Sequence, residues 1–165
     1  MIRRIGLGLG LMVLMAAVAV QAGTVTLQPT QGSSVKGTVD VVTMGRGVHF
    51  TGTVTGLTPG KHGFHVHATG DCSAPDAASA GAHFNPDNKN HGAPSAPEHH
   101  AGDFGNVEAD SSGTAKIDMH VNGLTLGAEP NSILGKALIV HGGEDDLTTQ
   151  PAGNAGARLA CGVIK

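Results

Sequence analysis

The chain has no tryptophan, no tyrosine and only four phenylalanines. Its core must therefore be aliphatic, mostly Val, Leu and Ile. Charged residues are also scarce, at 14% of 165 positions. Disorder does not follow, because short Val- and Thr-rich runs recur between turn signals, as in an all-β domain. Cysteine is limited to Cys72 and Cys161, each standing alone. With no C-x-x-C pair, two thiol metal ligands are the weaker reading of these residues. There is no internal repeat and no linker to a second domain, so the length suits one domain with a real core.

The N-terminus is a separate matter. Arg3 and Arg4 precede an apolar run from Ile5 to Val20, and Val20-Gln21-Ala22 offers small residues before Gly23. This reads as a secretory signal peptide over residues 1–22, leaving residues 23–165 as the mature domain. The alternative is an uncleaved membrane anchor, but the run is shorter than the ~20 residues needed to span a bilayer. No stable membrane insertion is expected after cleavage, and no Cys lies near the cut to carry a lipid. The expected location is periplasmic or secreted. In that oxidising setting a single disulfide is the default for two cysteines, with roughly 4–5 kcal/mol from closing so long a loop. The mature region keeps eight basic residues against 13 acidic ones. That balance argues against a nucleic-acid partner.

Eight strands are expected, roughly Thr24–Gln28, Ser33–Thr43, Val48–Thr55, Lys61–His67, Asp103–Ala109, Thr114–Val121, Gly135–His141 and Ala157–Val163. Met44-Gly45-Arg46-Gly47 and Asp110-Ser111-Ser112-Gly113 are hairpin signals. In the sixth strand Ile117, Met119 and Val121 alternate with Lys116, Asp118 and His120. Two long irregular segments, Ala68–Gly102 and Gly142–Gly156, interrupt the rhythm, and such loops are uncommon unless functional or disordered. The expected architecture is an all-β, eight-stranded antiparallel Greek-key barrel or sandwich with two long functional loops.

The chemistry lies in histidine. His65-Val66-His67 sits on a strand, where residues i and i+2 share a face with Cα atoms about 7 Å apart. Two imidazoles so placed can converge on one metal ion. His83, His91, His100, Asp103 and His141 follow in order. His65, His67 and His141 fall on or at the ends of strands, and ligation by several imidazoles favours Cu(II). His83, His91, His100 and Asp103 fall in or just after the long loop, and three imidazoles with one carboxylate fit a closed tetrahedral Zn²⁺ site. Such a site would order the loop and contribute to folding.

Gly63-Phe64-His65-Val66-His67, Gly81-Ala82-His83-Phe84-Asn85-Pro86, His100-Ala101-Gly102-Asp103-Phe104-Gly105-Asn106, Val140-His141 and the run from Gly153 to Ile164 resemble the copper/zinc superoxide dismutases over essentially the whole mature chain. The position of Cys72, just after Gly70-Asp71, resembles the bacterial exported branch. The resemblance implies a superoxide dismutase that converts superoxide to O₂ and hydrogen peroxide by alternating Cu(II) and Cu(I). It implies copper on His65, His67, His83 and His141, and zinc on His83, His91, His100 and Asp103, with His83 bridging as an imidazolate and carrying a proton. It further implies that Asp145 hydrogen-bonds His65 and His91, that Arg158 guides superoxide to the copper, and that Cys72 pairs with Cys161. His100 rather than its neighbour His99 has the motif's spacing to Asp103. His62 reads as structural, and His49 and His120 as exposed.

One departure from the family stands out. Its members often carry lysines in the loop before the arginine, whereas Leu147 to Ala157 has none here. Lys61 and Lys89 are the candidate substitutes for drawing in superoxide. Two other functions compete. A non-enzymatic copper-binding or copper-delivery domain of the same fold would commonly lack a ligand or the arginine. A dinuclear zinc hydrolase would need an open zinc position and a general base, for which Glu98 is the unassigned carboxylate. Without an exposed apolar stripe, the sequence does not choose between a monomer and a homodimer.

Overall fold

The computed structural model describes residues 22–165. The expected signal peptide lies outside the described residues, apart from its last position, Ala22. Eight strands form one closed antiparallel barrel: β1 (Ala22–Pro29), β2 (Lys36–Met44), β3 (Gly47–Thr55), β4 (Gly60–His67), β5 (Asp103–Ala109), β6 (Ala115–Asn122), β7 (Ala137–His141) and β8 (Arg158–Val163). Around the barrel they run β1-β2-β3-β6-β5-β4-β7-β8, and β8 closes onto β1. β3 therefore pairs with β6 and β4 with β7, the crossings of a Greek key.

The turn chemistry explains most strand ends. Gly45 takes φ 59° between β2 and β3. Between β5 and β6 the Asp110 carboxylate accepts the N–H groups of Ser112 and Thr114, and Gly113 adopts φ 76°. β2 begins at Lys36, not Ser33, because the Ser33 hydroxyl accepts the Val35 N–H in a local turn. β7 begins two residues late because Gly135 turns the chain at φ 75°.

The core is mainly aliphatic, as composition requires, and all four phenylalanines are buried in it. Phe104 packs against Phe50 and Phe64, with ring centroids 5.0 and 6.1 Å apart. Each such fully buried apolar side chain contributes roughly 1.5–3 kcal/mol relative to exposure. β6 keeps the expected alternation, with Lys116, Asp118 and His120 exposed.

β4 serves two environments. Phe64 and Val66 point into the barrel core, so His65 and His67 point out of it. That outer face is not solvent: β4 is buried from His62 to His67 because the two long loops cover it. Ala77, Ala80, Ala137, Ile139 and Cys161 form a small second core beneath the first loop. The Cys72–Cys161 disulfide, with Cα atoms 5.8 Å apart, ties that loop to β8.

Candidate metal centre

Strand register assembles the site. β4 and β5 place His65 opposite Asp103, and β7 and β8 place His141 opposite Arg158. Both pairings follow a register shift, which re-aims the side chains concerned. His83 reaches the strand face through an isolated bridge to His67. Two groups of converging ligand atoms result: His65, His67, His83 and His141, and His83, His91, His100 and Asp103. All seven residues are buried, and His83 belongs to both groups.

Four of the rings, those of His65, His67, His91 and His141, have one nitrogen anchored outward and one aimed inward. His67 donates from Nδ1 to the Gly81 carbonyl at 2.9 Å, and His141 from Nδ1 to the Gly156 carbonyl at 3.3 Å. Their Nε2 atoms then face each other, 3.4 Å apart. His65 Nε2 meets Asp145 Oδ2 at 2.8 Å, and His91 Nε2 meets Asp145 Oδ1 at 2.9 Å. One carboxylate thus orients a ring in each group. The inward atoms His65 Nδ1, His83 Nε2 and His91 Nδ1 are buried without a hydrogen-bond partner. Orphaned buried nitrogens are costly unless something binds them, and here they converge. A metal ion fits that need.

The second group closes around one oxygen. Asp103 Oδ1 lies 2.7 Å from His83 Nδ1 and 3.1 Å from Nδ1 of both His91 and His100. Its other oxygen is occupied by the N–H groups of Gly92 and His100. Three nitrogens and one oxygen remain, the donor set of a closed zinc site. The first group offers nitrogen alone, which suits copper.

Electrostatics favour ligation. Burial pushes the His67 imidazole down to about 2 and His141 down to about 3, with neighbouring imidazoles and Arg158 adding to the effect. Neutral imidazole is the ligating form. Burial opposes the charge of Asp103, yet the His83 hydrogen bond and the His100 N–H hold it well below the usual carboxylate range. Asp145 is likewise lowered against its burial, by His65 first.

Arg158 donates from both terminal nitrogens, to the carbonyls of Ala77 and Gly81 at 2.6 Å each. It lines the same cavity, of about 640 Å³, as His83 and Gly81. His62 stays out of both groups, with its ring nitrogens at the carbonyls of Thr58 and His141. His99 contacts the His100 carbonyl and joins neither group. His49 is half-buried rather than exposed, because its ring meets Asp118 at 3.1 Å and stacks on His120. Glu98, the base a zinc hydrolase would have used, is exposed and outside both groups.

Sequence reasoning gave no role to three supporting residues. Asn106 pairs through its amide with both the N–H and the carbonyl of Asp145. Gln150 does the same for His91. Gly153 passes so close that an added Cβ would overlap Asp145 Oδ1. Asn106 closes the run His100-Ala101-Gly102-Asp103-Phe104-Gly105-Asn106, but Gln150 has no local signal.

The family model described as copper/zinc superoxide dismutase matches residues 35–164. The chain belongs to the copper/zinc superoxide dismutase family. Membership assigns the reaction, disproportionation of superoxide, and the cofactors, copper and zinc. Among its relatives, "Superoxide dismutase [Cu-Zn] 2" of Mesembryanthemum crystallinum is 45% identical over 139 residues, covering 80% of this chain and 88% of that protein. The protein of the same name from Brassica juncea is 46% identical over 152 residues, covering 86% and 95%. Among solved structures, the clock protein EA4 superposes with a TM-score of 0.80 at 35% identity, covering 91% of this chain and 97% of that one.

Proposed function

We propose that His65, His67, His83 and His141 hold copper, that His83, His91, His100 and Asp103 hold zinc, and that this dismutase works outside the cytoplasm. One observation carries the assignment. His83 turns Nδ1 toward Asp103 and leaves Nε2 buried and unpartnered, with its ring 4.2 Å from that of His65 and 4.9 Å from that of His67. A single imidazole is thus presented to two donor sets.

Copper supplies the one-electron couple, Cu(II)/Cu(I), by which one superoxide is oxidised to O₂ and a second is reduced to peroxide. The chain does the rest. Arg158, fixed by two carbonyls, keeps its charge at any working pH and orients the anion. Two superoxides and two protons give O₂ and H₂O₂, and His83 Nε2 is placed to hold and release one of those protons. Asp145 fixes the tautomers of His65 and His91 from outside.

The test replaces His83 with Ala and substitutes Co(II) at the zinc site. Magnetic coupling between copper and cobalt should be present in the parent protein and absent in the variant. Coupling that persists in H83A removes His83 from the bridge.

Export and the bacterial branch belong to the same proposal. They are supported by the leader pattern of residues 1–22, the position of Cys72 and the Cys72–Cys161 disulfide, a bond favoured in oxidising compartments. Mass spectrometry of exported material should give an N-terminus at Gly23. Every ligand and Arg158 come from one chain, so the site is complete whether or not a homodimer forms.

A further inference from the structure

The loop leading into Arg158 has no lysine, and the chain as a whole is net negative at −3. An anionic substrate must therefore be drawn in by local positive charge. The cavity over the site, of about 640 Å³, is bounded by segments of both long loops. Its walls hold two formal cations, Arg158 and Lys89, and none of the carboxylates. Lys89 is half-buried and its backbone is pinned: Asn85 accepts the Lys89 N–H at 3.0 Å and donates to its carbonyl at 2.8 Å. Its Nζ donates to the neutral Pro97 carbonyl at 3.2 Å, and although Asp87 shares a neighbouring hollow with Lys89, the two form no ion pair.

The other lysines near the loops, Lys61 and Lys136, do not line this cavity. Lys61 forms an ion pair with Glu144 at 2.8 Å. Lys136 lies 4.3 Å over the Phe84 ring and donates to the Ala68 carbonyl. Asp76, the carboxylate that acts on Arg158, lines a neighbouring hollow rather than this one.

We infer that Lys89 is the guiding cation of this enzyme, supplying from the first loop the positive field at the cavity mouth that the second loop lacks. Its role is positioning: it draws the anion toward Arg158 and does not touch the reacting atoms. The inference rests on the superoxide dismutase reading of the site.

The experiment compares K89Q, K89E and K89R with the parent, all loaded with copper and zinc and matched in metal content. Two quantities are read against ionic strength: the rate of superoxide loss, and the affinity for azide followed by its charge-transfer band. At low salt K89Q should lower the rate about two-fold and K89E about four-fold, one charge being only part of a steering field worth roughly 10- to 1,000-fold. Both should converge on the parent near ~0.5 M salt, where the Debye length is only a few ångströms. Azide affinity should fall in the same order, and K89R should match the parent. K61Q should leave both readouts unchanged. A K89E protein with the parent's salt slope and azide affinity overturns the inference, as does a K89R protein that loses as much as K89Q. A parent that does not consume superoxide at all overturns the underlying function instead.

Discussion

The two metal clusters share one imidazole and are otherwise built differently. Three of the four residues proposed for copper, His65, His67 and His141, sit on paired strands. Three of the four residues proposed for zinc, His83, His91 and His100, sit in the loop between β4 and β5. Register places the first set, and backbone carbonyls fix two of its rings. The second set depends on carboxylates, with Asp103 at its centre and Asp145 behind it. Pre-organised geometry suits an ion that changes oxidation state, whereas a loop site lets an ion supply order that the sequence lacks.

The largest expected effect comes from Asp103→Ala. It removes the charge around which three imidazoles converge, and breaking a buried charged cluster costs about 3–5 kcal/mol. Zinc should be lost and the denaturant midpoint should drop, while copper is largely retained. Equal loss of both ions would break the contrast between the clusters. Asp145→Asn comes next. It weakens the hydrogen bonds to His65 and His91 without emptying either donor set. Zinc affinity should fall about 10- to 100-fold in a competitive chelator titration.

The smallest effect concerns pH and reports on the strand-borne set. His67 and His141 are held neutral by burial in the fold but titrate near 6.5 when unfolded. Their folded values are depressed, so the unfolded chain binds more protons between about 6.5 and 3. Stability of the metal-free protein is then greatest above 6.5 and falls as pH drops toward 3. From pH 6.5 to 5.5 the loss should be about 1–2 kcal/mol in urea unfolding. His67→Gln should flatten that slope. An unchanged slope would mean that the imidazoles of the loop set it instead.

Much of this was legible in sequence because the signals are local. Alternation, turn residues and the His65–His67 spacing fix strands and facing without knowledge of the partner strand. The expected starts of β2 and β7 erred where Ser33 and Gly135 impose turns within runs that still read as strand. The pairings of β3 with β6 and β4 with β7 are not local, and only the second explains why the strand of His141 lies beside the strand of His65 and His67. The ligands were legible as residue types in order, but their supports were not. Gln150 holds His91 across 59 residues of chain through an ordinary amide. Lys89 differed from Lys61 only once its surroundings were visible.

The Gly81 carbonyl accepts from both His67 Nδ1 and Arg158 Nη2. Gly81 itself adopts φ 73°, ψ −152°, a conformation essentially restricted to glycine. That oxygen is a common fulcrum. One acceptor thus ties an imidazole of the proposed copper set to the guanidinium from a different strand, so the distance between them depends on the placement of a single peptide.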